Sequence, residues 1–224
     1  MDLINVALDK GQKALSEYES KQLLNAYGIP ITKEALATSP EDAVSAAETI
    51  GYPVALKACS PQLMHKSESG VIELGIKDQS GVKSAFQKIS GLVNSDLDGI
   101  LVQEMISGQR ELVMGLNRDP QFGPCVMFGL GGILTEVLND TAFRVAPIDE
   151  IDALDMISEI RSRAILEAFR GQAPADQKTL CSSLIALAEI GLKYESIAEI
   201  DVNPMMIIPD GRVVAVDALV IMSS

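Results

Sequence analysis

Gly99-Ile100-Leu101-Val102-Gln103-Glu104-Met105-Ile106-Ser107-Gly108 is the stretch on which the reading of this chain turns. Residues 99–106 read as a strand, and Ser107-Gly108 closes it, marking a boundary between two textures of sequence. Upstream, helix and strand alternate. Ser16 and Glu19 form a capping box, and the helix that follows carries Leu23, Leu24 and Tyr27 before Gly28 and Pro30 stop it. A strand at 31–38 precedes a helix with Ser39 as N-cap, Pro40 at N1 and Glu41 and Asp42 in its first turn, ending at Gly51. Strands at 53–59 and 71–77 flank a polar loop, and the spacing of Val82, Phe86, Ile89 and Val93 predicts a third helix. Downstream, strands at 111–116, 124–128, 135–138 and 143–146 are separated by Gly, Asn and Asp turns. Helices at 151–158, 163–169 and 176–190 come next, and strands at 197–202 and 212–221 close the chain. The fold class is α+β in two lobes, 11–106 and 107–224.

Composition limits what such a protein does. In 224 residues, 18 Lys and Arg face 31 Asp and Glu, a formal net charge of −13, and 47% of the residues are hydrophobic. Such a chain has ample core and a poor surface for duplex nucleic acid, which calls for basic faces. Anionic membranes are disfavoured for the same reason. Aromatics are 4% and Trp is absent, so base-stacking platforms for single strands are not expected. Cys59, Cys125 and Cys181 are odd in number and widely spaced, which suits a reducing cytoplasm. The expectation is a soluble, cytoplasmic protein without a leader peptide or a membrane span.

Four features bear chemistry. Lys57 interrupts the apolar run Val54-Ala55-Leu56-Lys57-Ala58-Cys59; either its ammonium meets a buried anion such as phosphate, or it lies on a solvated strand face. The loop Met64-His65-Lys66-Ser67-Glu68-Ser69-Gly70 holds the single histidine, a candidate phosphorus nucleophile or a plain surface residue. Period-two spacing puts Glu199, Asp201 and Asn203 on one strand face, with Asp217 on the next strand. Such hard oxygen donors suit Mg²⁺ shared with nucleotide phosphates, or form a solvated acidic face. Gly129-Leu130-Gly131-Gly132 is a turn that admits close approach of backbone or ligand. No Walker A loop, G-x-G-x-x-G fingerprint or G-x-S-x-G elbow occurs, which disfavours those nucleotide folds and the α/β hydrolases.

Several motifs in order carry a family resemblance. Leu15-Ser16-Glu17-Tyr18-Glu19-Ser20-Lys21, Tyr27-Gly28-Ile29-Pro30, Tyr52-Pro53-Val54-Ala55-Leu56-Lys57 and His65-Lys66-Ser67-Glu68 are four of them. Gln121-Phe122-Gly123-Pro124, Phe128-Gly129-Leu130-Gly131-Gly132, Phe143-Arg144-Val145-Ala146-Pro147 and Asp201-Val202-Asn203-Pro204 complete the set. Together the chain resembles, over 12–222, the ATP-grasp subunits of NDP-forming acyl-CoA synthetases. It is most similar to the beta subunits of ADP-forming acetyl-CoA synthetases (acetate–CoA ligases) and more distantly to those of succinyl-CoA synthetases. One departure is that Gly70 precedes Val71, where family members often have a second glycine; this bears on the mobility of the loop.

The resemblance implies an ATP-grasp fold whose two lobes hold ATP or ADP between them. It implies the reaction acyl-CoA + ADP + phosphate ⇌ acid + CoA + ATP through phosphohistidine, with Mg²⁺. It also implies an alpha partner that carries the CoA-binding part and a first phosphohistidine, in a hetero-oligomer of two alpha and two beta chains. His65 would then carry phosphoryl, Lys57 and Lys66 would meet phosphates, Gln103, Glu104 and Ile106 would face adenine, and Glu111 would lie near the ribose. Asn203 and Asp217 would hold Mg²⁺, Asp201 would lie by the phosphohistidine or metal, and Arg144 would neutralise transferring phosphate. The alternatives are a free-standing ATP-grasp carboxylate ligase, which does not need His65, and a non-catalytic ATP-sensing module for an acyltransferase partner.

Overall fold

The structure, a computed structural model, describes residues 3–62, 71–93, 97–108, 110–132 and 140–223. Helix α1 (Leu3–Asp9), which the sequence reading does not anticipate, buries Ile4 and Ala7. Helix α2 (Glu17–Ala26) begins directly after Ser16. The chain forms two compact units: Ala14–Tyr18 with Thr32–Ile106, and Met1–Lys13 with Glu19–Ile31 and Ser107–Ser224. The break after Ile106 lies at the change of texture, but Glu19–Ile31 fold with the C-terminal half rather than with 32–106. Long-range hydrogen bonds are the reason. Ser20 Oγ accepts from the Val220 N–H at 3.2 Å, Lys21 Nζ donates to the Val216 carbonyl at 3.2 Å, and the Pro30 carbonyl accepts from the Ala215 N–H at 2.8 Å.

The unit that contains Thr32–Ile106 is built on a four-stranded antiparallel sheet. Its elements are β1 (Glu34–Ala37), α3 (Pro40–Ile50), β2 (Val54–Cys59), β3 (Ile72–Ile76), α4 (Gln79–Leu92) and β4 (Gly99–Glu104), with strand order β1-β4-β2-β3. The helix starts have chemical causes. Ser39 Oγ accepts from the Asp42 N–H at 3.1 Å, and Asp78 Oδ1 accepts from the Gly81 N–H at 2.8 Å, each satisfying a donor that the first turn leaves open. One sheet face (Val54, Leu56, Ala58, Ile100, Val102) packs on Ala43 and Ala47 of α3 and Val82, Phe86 and Ile89 of α4. Burying each large aliphatic chain there contributes about 1.5–3 kcal/mol. By alternation, Ala55, Lys57, Leu101 and Gln103 lie on the opposite face.

The larger unit holds a six-stranded antiparallel sheet of β5 (Arg110–Asp119), β6 (Gly123–Leu130), β7 (Thr141–Val145), β8 (Ile197–Ile207), β9 (Val213–Ala215) and β10 (Ala218–Met222). The order is β10-β8-β5-β6-β7, with β9 also paired to β8. Helices α5 (Glu150–Glu159) and α6 (Gln177–Lys193) separate β7 from β8. Leu112, Met114, Leu116, Val126, Phe128, Ile200 and Val202 are buried on one sheet face, and Leu116 reaches Gly191 of α6 so closely that a Cβ there would sit 2.3 Å from it.

Some elements differ from the sequence reading. The helix expected at 163–169 is a 3-10 turn, Arg163–Leu166, preceded by Ser162, whose side chain makes no cap bond. The strand expected at 197–202 continues through Asn203-Pro204 to Ile207. Proline is tolerated there because the register with β5 shifts between Leu112 and Met114, a bulge that leaves β8 one residue longer than its partner. The segment 212–221 is two strands parted by Val216-Asp217. The strand expected at 135–138 lies outside the described residues. No helix of the described residues is long and apolar enough to cross a membrane.

Asp140 ties the start of β7 to the end of α5. Its carboxylate is 6% exposed and accepts the N–H groups of Arg161 and Ser162, both at 2.7 Å. Burial alone would raise its pKa; the hydrogen bonds from Ser162 and Arg161, with the Arg161 charge, hold it below the ordinary value. A depressed folded-state pKa gives stability that is complete above the unfolded carboxylate value of about 3.9 and lost as the pH falls through the folded value. Asp140→Ala is expected to lower the unfolding free energy by about 2 kcal/mol at neutral pH. Urea titrations across the acid range should show that difference shrinking below about pH 4.

Candidate functional site

Lys57 is the first sequence candidate to be placed. It is 6% exposed at the centre of β2, and its Nζ lies 2.8 Å from Glu17 Oε1, whose side chain is 1% exposed. Both belong to the unit that contains Thr32–Ile106. The ammonium is therefore buried and ion-paired, not on a solvated strand face. Gln103 is 2% exposed on the same sheet face, one pleat from Lys57 through the registers Lys57–Leu101 and Ala55–Gln103. Glu104, at the end of β4, accepts the Lys33 N–H at Oε1 (2.7 Å) while its own N–H donates to the Lys33 carbonyl (2.9 Å). Ile106 follows outside the strand and is half-buried. The structure thus brings Lys57 and Gln103 onto one face and turns the Glu104 carboxylate toward main chain. Glu17 is the residue the sequence reading missed. The signal was present, since a lysine in an apolar strand demands a buried anion, but Glu17 sits inside a capping-box motif that draws attention to Ser16 and Glu19.

The second cluster lies on the large sheet. Asp201 pairs with Gly115 and Leu219, and Glu199 with Asn117 and Ile221, so both carboxylates occupy the face opposite Ile200, Leu116 and α6. Asn203, at the bulge, is exposed on that same face; Asp217 is half-buried in the β9–β10 connection. Burial, with Glu199 and then Asp217 nearby, pushes the Asp201 carboxyl up to about 6. Gly115 is required opposite Asp201, because a Cβ there would lie 2.4 Å from the Ile200 carbonyl oxygen. No group of three or more His, Cys, Asp or Glu among the described residues could hold a metal ion by itself. Two carboxylates and an amide, completed by phosphate oxygens, remain a donor set of the kind Mg²⁺ takes.

Glu111 lies on the same face, further along β5, beneath the glycine turn. The Gly131 N–H donates to the Glu111 carbonyl at 2.8 Å, and a Cβ on Gly131 would lie 2.8 Å from Leu112 main chain. The close approach expected of Gly129–Gly132 is therefore met by the protein's own backbone. Arg144 lies on the other face. It pairs with Val126, which puts it on the helical face, whereas Phe143 pairs with Met127 on the Asp201 face. Its guanidinium is held by Glu159 of α5, at 3.0 Å from NH1 to Oε2 and through a second bond from NH2 to Oε1. Alternation turns Arg144 away from the carboxylates of β8 and toward Glu159 of α5. His65 and Lys66 lie outside the described residues.

Residues 6–222 match the ATP-grasp domain. The chain is an ATP-grasp protein. It is 41% identical over 215 residues to the acetate–CoA ligase [ADP-forming] I subunit beta of Pyrococcus furiosus, covering 94% of this chain and 92% of that one. Its fold matches the dinucleotide forming acetyl-coenzyme A synthetase 1 of Ca. Korarchaeum cryptofilum in complex with coenzyme A, Ca-AMPCP and HgCl+, with a TM-score of 0.93 and 42% identity over 99% of each chain. A second structure of that protein, in complex with coenzyme A and Mg-AMPPCP and with its phosphohistidine segment pointing towards the nucleotide binding site, gives 0.87 and 40%, again over 99% of each. Within the ATP-grasp proteins, the chain belongs with the beta subunits of ADP-forming acetate–CoA ligases.

The buried pair in this ATP-grasp chain has a measurable signature. Removing one member of such a pair strands a buried charge, at a cost of about 3–5 kcal/mol, whereas removing both does not. Glu17→Gln and Lys57→Met are each expected to lower stability by about 3 kcal/mol, and the double variant should recover at least half of the summed loss. Urea unfolding of the four proteins measures this; simple additivity of the two losses would refute the coupling.

Proposed function

We propose that this chain is the nucleotide-binding beta subunit of an ADP-forming acyl-CoA synthetase. In this reading it interconverts acyl-CoA, ADP and phosphate with a carboxylic acid, CoA and ATP, with acetate or another small acid as substrate. The observation that carries the reading is the row of oxygen donors on one sheet face, Glu199, Asp201 and Asn203 with Asp217 beside it, in a chain of the acetate–CoA ligase beta family. Crowded carboxylates, one of them pushed up to about 6, are arranged as a cation and anionic phosphates would use them. The alternative of a merely solvated acidic face leaves Asp201's burial without a purpose.

Within this proposal the unit that contains Thr32–Ile106 and the unit that contains Ser107–Ser224 act as the two ATP-grasp lobes. Lys57 and Lys66 bind phosphate, Gln103, Glu104 and Ile106 face the adenine, and Glu111 lies near the ribose. Asn203 and Asp217 hold Mg²⁺, which when bound supplies charge neutralisation at the transferring phosphoryl group. Asp201 orients and electrostatically restrains the reacting groups. Neutral imidazole of His65 accepts the phosphoryl group as the bond between ADP oxygen and the γ-phosphorus breaks and a P–N bond forms. The reverse transfer makes ATP. The naming of the relatives as beta subunits supports an alpha partner; in this proposal that partner carries the CoA site and the first phosphohistidine, in a hetero-oligomer of two alpha and two beta chains working in the cytoplasm.

Incubating the chain and its alpha partner with γ-labelled ATP and Mg²⁺ should give protein-bound label that is acid-labile and base-stable. His65→Ala should reduce acyl-CoA formation in the complex by at least about a thousandfold, as expected when a covalent carrier is removed. Full activity of that variant refutes the carrier, and tight ATP binding with no turnover in any complex supports a sensing role instead. Asp217→Asn should raise the Mg²⁺ concentration needed for half-maximal rate by about tenfold or more, read from a metal titration at fixed ATP.

A further inference from the structure

Lys21 of α2 is a charged side chain with 0% exposure. An ammonium is costly to bury, so what it is held against carries information. One of its acceptors is main chain: Nζ donates to the Val216 carbonyl at 3.2 Å. Both residues belong to the larger unit. The segment around Lys21 is fastened there by two further bonds, from the Val220 N–H to Ser20 Oγ at 3.2 Å and from the Ala215 N–H to the Pro30 carbonyl at 2.8 Å.

Val216 stands in the gap between β9 and β10. Ala215 pairs with Met205 of β8, and Ala218 pairs with Val202. The register is therefore the same on both sides of the gap, and it sets Val216 against Pro204 and Asp217 against Asn203. The Val216 N–H donates to the Pro204 carbonyl at 3.0 Å, one half of the exchange that a hydrogen-bonded antiparallel pair makes. The other half would run from the N–H of residue 204 to the Val216 carbonyl, and proline has no N–H to give. Lys21 Nζ supplies a donor to that carbonyl in its place. The bond restrains the peptide that joins Val216 to Asp217. Asp217 is half-buried there, and its charge reaches the buried Asp201 carboxyl.

We propose that Lys21 is a positioning residue for the metal pair: by supplying the donor that Pro204 lacks, it fixes the Val216–Asp217 peptide and so sets Asp217 opposite Asn203. The proposal rests on the reading that Asn203 and Asp217 hold Mg²⁺. A direct electrostatic role has the wrong sign, because a second cation beside a Mg²⁺ site repels the metal. What Lys21 adds is geometry, delivered through main chain to the residue that follows it.

Calorimetric titration of ADP into the full chain, in EDTA and again in excess Mg²⁺, separates the metal's share of nucleotide binding from the rest. Lys21→Met should raise the ADP dissociation constant in Mg²⁺ by about tenfold, as loss of a partner behind a metal ligand does, and leave the value in EDTA within about twofold of wild type. Asp217→Asn should show the same split. Ser20→Ala loosens α2 on β10 and leaves the Lys21 bond in place; it should lower the melting temperature and shift neither constant by more than about twofold. Lys21→Gln, a neutral donor one bond shorter, should fall between wild type and Lys21→Met in Mg²⁺, and it decides the question if Lys21→Met does not fold. A purely structural lysine predicts a lower melting temperature with both constants unchanged. A lysine acting by its charge predicts weaker ADP binding in EDTA with an equal or larger gain from Mg²⁺. Either result overturns the proposal. If Asp217→Asn loses the gain from Mg²⁺ and the Lys21 variants keep it, the metal reading stands and the role of Lys21 alone fails; if Asp217→Asn keeps the gain, both fail.

Discussion

A β-strand can offer a side chain to only two directions, and the large sheet of this protein is organised around that restriction. Along β8, Ile200 and Val202 go beneath the helices, so Glu199 and Asp201 go to the other side. Along β7 the same rule separates Phe143 from Arg144. The apolar contacts under α6 therefore fix more than stability. They set the register in which the carboxylates of one strand meet the glycine of its neighbour, and a slip of one residue would exchange core for charge. Alternation keeps Asn203 with the acids, and the bulge against β5 at Asn203-Pro204 is what lets Met205 return to the core.

Much of this was legible in the sequence wherever the signal is local. Ser39 with Pro40 and Asp42, or the spacing of Val82, Phe86 and Ile89, carries its own explanation, because capping and helical periodicity depend on neighbours within a few residues. The α+β, ATP-grasp reading came from motifs in order, and the family match bears it out. What the sequence did not disclose is pairing at a distance. Lys57 announced that it needed an anion, yet nothing local pointed to Glu17, forty residues earlier. Arg144 belonged to a persuasive motif, but its direction depends on the parity of β7 against β6, which is decided by hydrogen-bond register. The grouping of Glu19–Ile31 with the C-terminal half has the same origin, in bonds from Ser20, Lys21 and Pro30 to residues near 216–220.

The excess of negative charge now has a more specific meaning. Bulk acidity bars broad anionic partners, and the described cations that matter are individually placed. Lys57 is buried against a carboxylate, Arg110 is ringed by carbonyls, and Arg144 is taken by Glu159. Each is positioned by a different kind of partner, and each is thereby given a different availability.

The Lys57–Glu17 contact has one more consequence. A free lysine side chain loses about 1.5–2 kcal/mol of rotamer entropy when it is immobilised. In this protein most of that ordering is already complete once the chain has folded, because Nζ is fixed 2.8 Å from Oε1 in a nearly solvent-free setting. An anion that meets this ammonium encounters a group already stripped of water and held in place. The affinity it gains comes from preorganisation, not from any additional charge.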